Sequence, residues 1–392
     1  MTFPTTLGVL GGGTIGCVKI VRALQHEGAR VVLFLAQTRI LNRGVFRVPP
    51  LEPEYRGTEL ETELRDEGVE IIAVPPARPH VFLDCWPMRR AVQARLAAEP
   101  FDAVLGWHHE LAMLPPIARA HGAMSGMFVA GWYNRFRDKE IAQHDLKERT
   151  KLRAERWFLA KGLRRVDKVL AISKWSKQEI TEVFALDPGR VGVVYWGVDP
   201  IFAEAQRSPP GPVTNFLFFG SQAGRKGALE AMEAFARIAS QGNRDWTYKL
   251  VWLHTQRVCD KAEELGIADR VIAMDPTDHQ GLVRELEWAH VAVLPSLFES
   301  FGLACAEALT SGVPVIAYDC AGVPEVVRHG EDGWLVPNGR KDLLDAPIIE
   351  AMADPARTHR MGTAGRERML AGFTWQRTAQ ALLRMIEDQK RA

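Results

Sequence analysis

Short apolar runs alternate with segments of helical periodicity along most of the chain. Strand-length runs lie at 7–10, 30–36, 69–74, 101–105, 124–130, 169–172, 191–195, 216–219, 249–253, 271–274, 291–294 and 313–318. Helical patterns lie at 17–26, 88–98, 145–168, 228–239, 280–289, 342–352, 355–370 and 375–390. Apolar strands that alternate with helices are typical of parallel sheets covered by helices. The pattern therefore predicts an α/β fold.

Three prolines near the middle of the chain indicate a joint between two such arrays. Pro209, Pro210 and Pro212 break any regular element, so we place a domain linker there. A length of 392 residues is ample for two domains. We therefore expect two doubly wound α/β domains that face each other across a cleft.

Composition narrows the possible classes of function. The formal net charge of +1 gives no support for binding to nucleic acid. The five cysteines include no CxxC pair and are typical of reduced, mostly buried residues in a cytoplasmic protein. The start of the chain has no clear secretion signal, and no run reaches 18 apolar residues. We expect a cytoplasmic protein with at most peripheral membrane contact.

The richest local chemistry follows the apolar run 291–294. A loop leads to a helix of small residues that begins near Gly302, so the amides of Ser300, Phe301, Gly302 and Leu303 lie at the positive end of a helix dipole. These amides are a candidate anion site at the carboxyl end of a strand.

Two carboxylates flank these amides. Glu299 precedes the helix, and Glu307 lies about a turn and a half inside it. At ~1.5 Å of rise per residue, they are spaced to contact a single ligand at points roughly 10 Å apart. One carboxylate would hold each end of a nucleotide sugar, with the phosphates at the amides between them.

This stretch resembles the donor-site signature of a known enzyme family. The pattern P-S-x-x-E-S-F-G-L-x-x-x-E-A-L-x-x-G-V-P-V-I-A, followed by G-x-P-E-V-V, is similar to that of retaining GT-B glycosyltransferases of glycosyltransferase family 4. The resemblance implies a GT-B fold with two Rossmann-like domains. It places an acceptor-binding domain at 1–205, joined by a helix at 374–392 that packs back on it, and a donor-binding domain at 206–373.

Further positions match the family in the donor domain. Lys226 is in register with the family's lysine before a glycine, and the resemblance implies that it contacts the diphosphate. Ser221 stands where the family has an arginine, and Arg225 is a possible substitute. Met274 ends the strand at which the family holds the nucleotide base through backbone contacts.

The first domain offers weaker candidates. Gly12 and Gly13 belong to a glycine-rich loop that the family directs at the cleft, although a tight turn alone would explain them. The acceptor-binding candidates are His108, His109, Trp132 and Arg156. Ordinary surface or partly buried histidines remain the alternative for His108 and His109.

The resemblance implies transfer of a sugar from a nucleotide-diphosphate donor to a hydroxyl acceptor, with retention of configuration and without a metal or other cofactor. Catalytic roles are expected for Glu299 and Lys226. The acceptor could be a small molecule, a glycan or a lipid-linked molecule. The alternatives are a related enzyme that couples a cyclitol unit, a sugar-nucleotide epimerase of GT-B-like fold, and a binding module without turnover. The sequence leaves the base, the sugar, the acceptor and the oligomeric state open.

Overall fold

The computed structural model describes residues 2–3, 12–36, 57–74, 85–129, 153, 156–157, 159–220 and 226–391. The chain divides into two compact units. The first unit contains Met1–Trp196 and Trp375–Ala392, and the second contains Gly197–Thr374. The division precedes the predicted boundary at residue 205, because the 3-10 helix Pro200–Glu204 packs within the second unit.

Each unit contains a parallel sheet, as the alternating pattern predicted. In the described residues the first sheet has seven strands, in the order β3-β2-β1-β4-β5-β6-β7, and the second has six, in the order β10-β9-β8-β11-β12-β13. The strands are β1 (Thr2–Phe3), β2 (Val32–Ala36), β3 (Glu70–Val74), β4 (Ala103–Trp107), β5 (Met124–Val129), β6 (Lys168–Ala171), β7 (Val191–Val193), β8 (Thr214–Phe219), β9 (Trp246–Val251), β10 (Val271–Met274), β11 (Val291–Leu294), β12 (Val315–Asp319) and β13 (Gly333–Pro337).

Helices connect the strands in both units. The α-helices are α1 (Gly12–His26), α2 (Gly57–Asp66), α3 (Cys85–Ala98), α4 (Pro115–Ala120), α5 (Lys174–Phe184), α6 (Ala228–Ser240), α7 (Thr255–Glu264), α8 (His279–Trp288), α9 (Leu303–Thr310), α10 (Val323–Val326), α11 (Asp345–Ala353), α12 (Pro355–Gly372) and α13 (Trp375–Arg391). Short 3-10 helices lie at His108–Met113, Pro188–Arg190, Pro200–Glu204, Ala268–Arg270 and Lys341–Leu343.

Central strands are buried on both faces, which explains why most of their residues are apolar. All four residues of β11 are buried, and β5 is buried along its whole length. The strand predicted at 271–274 has the observed bounds of β10. The prediction at 7–10 lies outside the described residues.

The helix α13 belongs to the first unit although it ends the chain. Its Trp375 ring lies 6.1 Å from the ring of Trp196. The amide of Gln376 donates a hydrogen bond of 2.8 Å to Glu27 at the end of α1. The helix therefore packs along α1 within that unit.

The exposure of side chains differs sharply within the helical segment before β6. Trp157 is 57% exposed, whereas Leu159 and Leu163, one turn apart, are buried. Of the five free cysteines, only Cys259 is exposed. A search of the described residues finds no helix that is both long enough and apolar enough to cross a membrane.

Candidate active site

The loop that follows β11 leads into the N-terminus of α9, which begins close to the predicted position. Gly302 is the N-cap residue with φ of +95°, a conformation that favours glycine, and α9 begins at the next residue. A glycine supplies no side-chain oxygen to cap the helix. The N-terminus therefore carries the partial positive charge of the helix dipole without a side-chain cap at Gly302.

Two residues from later segments hold the backbone of the loop before α9 in place. Gly322 donates its amide to the carbonyl of Glu299 at 2.9 Å, and the Asn338 side chain donates to the carbonyl of Leu297 at 3.2 Å. The side chain of Phe301 is buried. The carboxylate of Glu299 thus projects from a fixed backbone position.

Lys226 and Glu299 form an ion pair in which the Lys226 ammonium donates to Oε1 of Glu299. Both side chains are mostly buried, with 17% and 19% exposed. The next residue, Gly227, has φ of +70°, and a Cβ placed there would lie 2.2 Å from the carbonyl oxygen of Pro295. This close approach fixes the start of α6 against the end of β11 and brings Lys226 to Glu299.

Glu307 lies in the same electrostatic environment. Although the residue keeps some exposed surface, protein surrounds its carboxyl, and this burial raises the pKa to about 7. His279 and Lys226 lower the pKa, while Asp199 and Glu299 raise it. The charges of Lys226 and Glu299 therefore act on Glu307 together with those of His279 and Asp199.

Sequence reasoning missed a contact between His279 and Asp199, two residues that influence the pKa of Glu307. Nδ1 of His279, at the start of α8, lies 3.5 Å from Oδ2 of Asp199. The His279 ring also lies 5.4 Å from the ring of Phe202. Nothing in the sequence pattern pointed to the pairing of these two residues, which lie 80 positions apart.

Other predicted donor-site residues are only partly described. Met274 ends β10, and its carbonyl accepts the amide of Trp252 at 2.9 Å. The predictions that lie outside the described residues are Ser221, Arg225 and Trp132.

The remaining predicted residues lie in the first unit. Gly12 and Gly13 lie in the first turn of α1, not in a loop before the helix. The helix was predicted from residue 17, where the apolar pattern starts, but it begins five residues earlier. His108 and His109 begin the 3-10 helix that follows β4. Arg156 lies in a helical turn and is half-buried.

In the parts of the chain that the structure describes, no group of three or more histidine, cysteine, aspartate and glutamate side chains is arranged to hold a metal ion. The groups at α9 are a lysine, helix amides and carboxylates. Such a set can bind an anion and accept hydrogen bonds from hydroxyl groups.

Two family models match consecutive parts of the chain. The family model described as Glycosyl transferases group 1 matches residues 203–368, and the one described as Glycosyltransferase Family 4 matches residues 10–202. The first match includes Lys226, Glu299 and Glu307, and together the two matches cover most of both units.

Curated relatives share moderate identity with the chain. The MMP alpha-(1->4)-mannosyltransferase of Mycolicibacterium hassiacum is 30% identical over 261 residues, which are 64% of this chain and 62% of that protein. A D-inositol 3-phosphate glycosyltransferase of Jonesia denitrificans is 26% identical over 97% of this chain and 92% of its own length. For the first relatives found, the match spans less than two thirds of the relative's own length.

Solved structures share the fold at low identity. A glycosyltransferase from Rickettsia africae has a TM-score of 0.73 at 16% identity, covering 99% of this chain and 98% of its own. Anabaena Alr3699/HepE in complex with UDP has a TM-score of 0.73 at 16% identity, covering 99% of each chain. The same Anabaena protein has also been solved with UDP-glucose, with a TM-score of 0.69 at 16% identity and 99% of each chain covered.

Proposed function

Because the chain belongs to the glycosyltransferases of group 1 and family 4, we propose that it transfers a sugar from a nucleotide diphosphate to a hydroxyl acceptor, with retention of configuration. The observation that carries this proposal is the Lys226–Glu299 pair near the N-terminus of α9, the helix that contains Glu307. A cation and helix amides suit a diphosphate, while carboxylates suit the hydroxyl groups of ribose and sugar.

Each group has a proposed role. Lys226 and the amides of Phe301, Gly302 and Leu303 hold the diphosphate. Glu307 accepts hydrogen bonds from the ribose hydroxyls, and Glu299 accepts them from the donor sugar. Lys226 reaches Glu299 in the structure, so the diphosphate and the sugar would be held at neighbouring points.

The proposed reaction exchanges one bond at the anomeric carbon. The bond from that carbon to the diphosphate oxygen breaks, and the diphosphate leaves with the electron pair. The acceptor oxygen bonds to the same carbon from the same face and passes its proton to a phosphate oxygen. Lys226 and the α9 amides stabilise the charge of the leaving group, so we expect no metal to be required.

The names of the relatives support a nucleotide-sugar donor. The Anabaena structures contain UDP and UDP-glucose, and two relatives are named for transfer to MMP or to D-inositol 3-phosphate. We propose an acceptor with a free hydroxyl group, whether small molecule, glycan or lipid-linked. His108, His109, Trp132 and Arg156 remain candidates for contacting it.

The first test is nucleotide binding. We would measure thermal stabilisation by UDP, GDP, ADP, dTDP and CDP in the wild type, in Glu307→Ala and in Glu263→Ala. The control removes an exposed carboxylate of α7 in the same unit. We expect one nucleotide to stabilise the wild type and Glu263→Ala but not Glu307→Ala. Failure of every nucleotide to stabilise the wild type would contradict the proposal.

Turnover separates the proposed function from its alternatives. Sugars of the stabilising nucleotide would be incubated with and without a panel of hydroxyl acceptors. Consumption of the nucleotide sugar only when an acceptor is present, with a product of retained configuration, would support the transferase. Conversion of the nucleotide sugar without an acceptor would instead indicate an epimerase, and binding without either reaction would indicate a binding module.

A further inference from the structure

We propose that one helical layer of the first unit carries a docking face for a membrane surface that contains anionic lipids. The face has two parts, which are the helical segment 153–163 with the turn that follows it, and the exposed side of α3. Each part combines an exposed tryptophan with exposed arginines. The inference goes beyond the proposed transfer reaction and uses none of the residues assigned to the nucleotide sugar.

Tryptophan makes up the large exposed apolar side chains of the first unit. Among the residues of this unit that the structure describes, the only exposed large hydrophobic side chains are Trp86, at 48%, and Trp157, at 57%. The exposed large hydrophobic side chains of the second unit are isoleucines and leucines. Tryptophan is enriched where a membrane meets water, because its ring is apolar and its N–H group is polar.

Both tryptophans belong to helices that cover the same side of the first sheet. The two helices connect parallel strands in the same direction along the sheet order, from β3 to β4 and from β5 to β6, and right-handed crossovers in one direction lie on one side. Consistent with this, Val92 of α3 shares a core cluster with Leu159 and Leu163. The opposite sides of the two helices therefore face outward from one layer, and they carry Trp86 and Trp157.

This layer is strongly basic, although the chain as a whole is not. Residues 153–165 contain five basic side chains and one glutamate, and α3 contains three arginines and no acidic residue, whereas the formal net charge of the chain is +1. The exposed arginines are Arg89, Arg90, Arg153, Arg164 and Arg165. None of these five forms an ion pair with a described carboxylate, and Asp167, which follows Arg165 by two residues, pairs with Arg119 at 2.9 Å instead. The face therefore keeps its positive charge for an anionic partner.

Helical spacing places cations around Trp157. Arg153 and Lys161 are each four residues from Trp157, so the three side chains lie on one side of the helix. The ammonium of Lys161 lies 4.8 Å from the centre of the Trp157 ring. This cation–π contact holds the indole beside a positive charge. Such an arrangement suits a helix that lies in the plane of the headgroups, with its cations at the lipid phosphates and its indole at the boundary of the acyl chains.

The same contact favours a lipid surface over a nucleic acid. A single-stranded nucleic acid would also match the positive charge, and its bases bind by stacking on aromatic rings. Lys161 already covers one face of the Trp157 ring, so a base would have to displace this lysine in order to stack there. Insertion of the indole among headgroups requires no such displacement, because the lysine can reach the phosphates from beside the ring.

The first test is flotation of the whole chain, without nucleotide, on lipid vesicles. We expect binding to phosphatidylcholine vesicles that contain about one third phosphatidylglycerol, no binding to pure phosphatidylcholine, and loss of binding at about 0.5 M salt. Arg164→Gln/Arg165→Gln should bind roughly 10- to 30-fold more weakly, since each basic side chain near an anionic surface contributes about fivefold. The control, Arg257→Gln/Arg284→Gln, removes two exposed arginines from α7 and α8 and should bind like the wild type.

The second test concerns the tryptophans. Trp157→Ala and Trp86→Ala should each weaken binding to the anionic vesicles by about five- to tenfold, because each removes apolar surface that the membrane would cover. Leu370→Ala removes a side chain of α12 that is 45% exposed, and it should have no effect. Phospholipids brominated near the headgroup end of their acyl chains should quench the fluorescence of the wild type more than that of Trp157→Phe.

Several results would overturn the proposal. One is the absence of wild-type binding to the anionic vesicles, and another is an equal loss in the two arginine double variants, which would indicate a general attraction of the chain. Unchanged binding in both tryptophan variants would show that no indole enters the membrane. Binding of a single-stranded oligonucleotide that is weakened by the same variants, without vesicle binding, would assign the face to nucleic acid. The altered side chains are exposed, so unfolding midpoints should match the wild type and exclude loss of the fold as the cause.

Discussion

Replacing Gly227 by alanine tests whether the position of Lys226 depends on close packing at the start of α6. Gly227 has φ of +70°, and an added Cβ would lie 2.2 Å from the carbonyl oxygen of Pro295 and 2.9 Å from its Cγ. The oxygen belongs to the backbone after β11 and cannot rotate away. The carbonyl of Gly227 itself accepts a hydrogen bond of 3.1 Å from the amide of Ala231, so the start of α6 resists movement.

Gly242→Ala is the matched control, because Gly242 has φ of +87° and an added Cβ would meet no atom within 4 Å. Both alanines incur left-handed strain of about 1–2 kcal/mol, partly offset by reduced entropy of the unfolded chain. Only Gly227→Ala adds overpacking, which typically costs about 1–3 kcal/mol. We therefore expect Gly227→Ala to be less stable than Gly242→Ala by about 1–3 kcal/mol.

Urea unfolding and hydrogen exchange would measure this difference. With slopes of about 2–3 kcal/mol per molar urea for a protein of this size, the midpoint of Gly227→Ala should fall by roughly 0.3–1.5 M relative to the control. Exchange in peptides from α6 and β11 should rise more than in peptides from the first unit. Nucleotide binding should weaken only in Gly227→Ala. Equal midpoints and equal binding in the two variants would refute the reasoning.

Three other substitutions test the charges of the second unit. Lys226→Ala should reduce kcat on the order of 10²-fold and nucleoside diphosphate binding by less, whereas Lys341→Ala, which removes another lysine paired to a glutamate, should leave steady-state kinetics unchanged. Glu307→Gln should weaken nucleotide binding about tenfold at pH 8, measured by calorimetry. Because the pKa of Glu307 is raised from 4.5 to about 7, the stability of the wild type should fall as the pH rises through this range, and unfolding of Glu307→Gln should lack that fall. Burial and Arg207 lower the pKa of His290, so as the pH falls below 6.5 the unfolded chain takes up a proton before the folded chain does, and stability should decrease. In His290→Gln the decrease in stability below pH 6.5 should be smaller, and an unchanged decrease would contradict this cause.

Much of the fold was predictable because its strands are buried on both faces. An apolar run such as that of β11 has few alternatives when small-residue helices flank it. The helix that follows β11 was also predictable, because Gly302 signals its start. It was harder to predict which residues of a helix face the core. Trp157 and Leu163 are six residues apart and lie on different helix faces, so one is exposed and the other is buried.

The candidate site was predictable where one motif contains it and not where distant segments meet. Glu299 and Glu307 share a motif, whereas Lys226 reaches Glu299 across 73 residues of chain. Resemblance to a family suggested both partners, but the residues alone do not predict their pairing. The contact between His279 and Asp199 has no local signal at all, because it depends on how α8 packs against Pro200–Glu204.

The ion pair at the site constrains the kind of ligand that can use it. Lys226 is already matched by Glu299, so a neutral sugar, which offers only hydroxyl dipoles, cannot displace that carboxylate. A diphosphate brings more negative charge than one carboxylate and also gains the α9 amides, so it can take over Lys226 and release Glu299 to accept from sugar hydroxyls. We therefore expect calorimetry to detect a nucleoside diphosphate but not glucose or mannose alone at millimolar concentration, and to detect the sugar only as part of the nucleotide sugar. Binding of a free sugar with the same affinity in wild type and Glu299→Gln would show that Glu299 is not the group released to hold it.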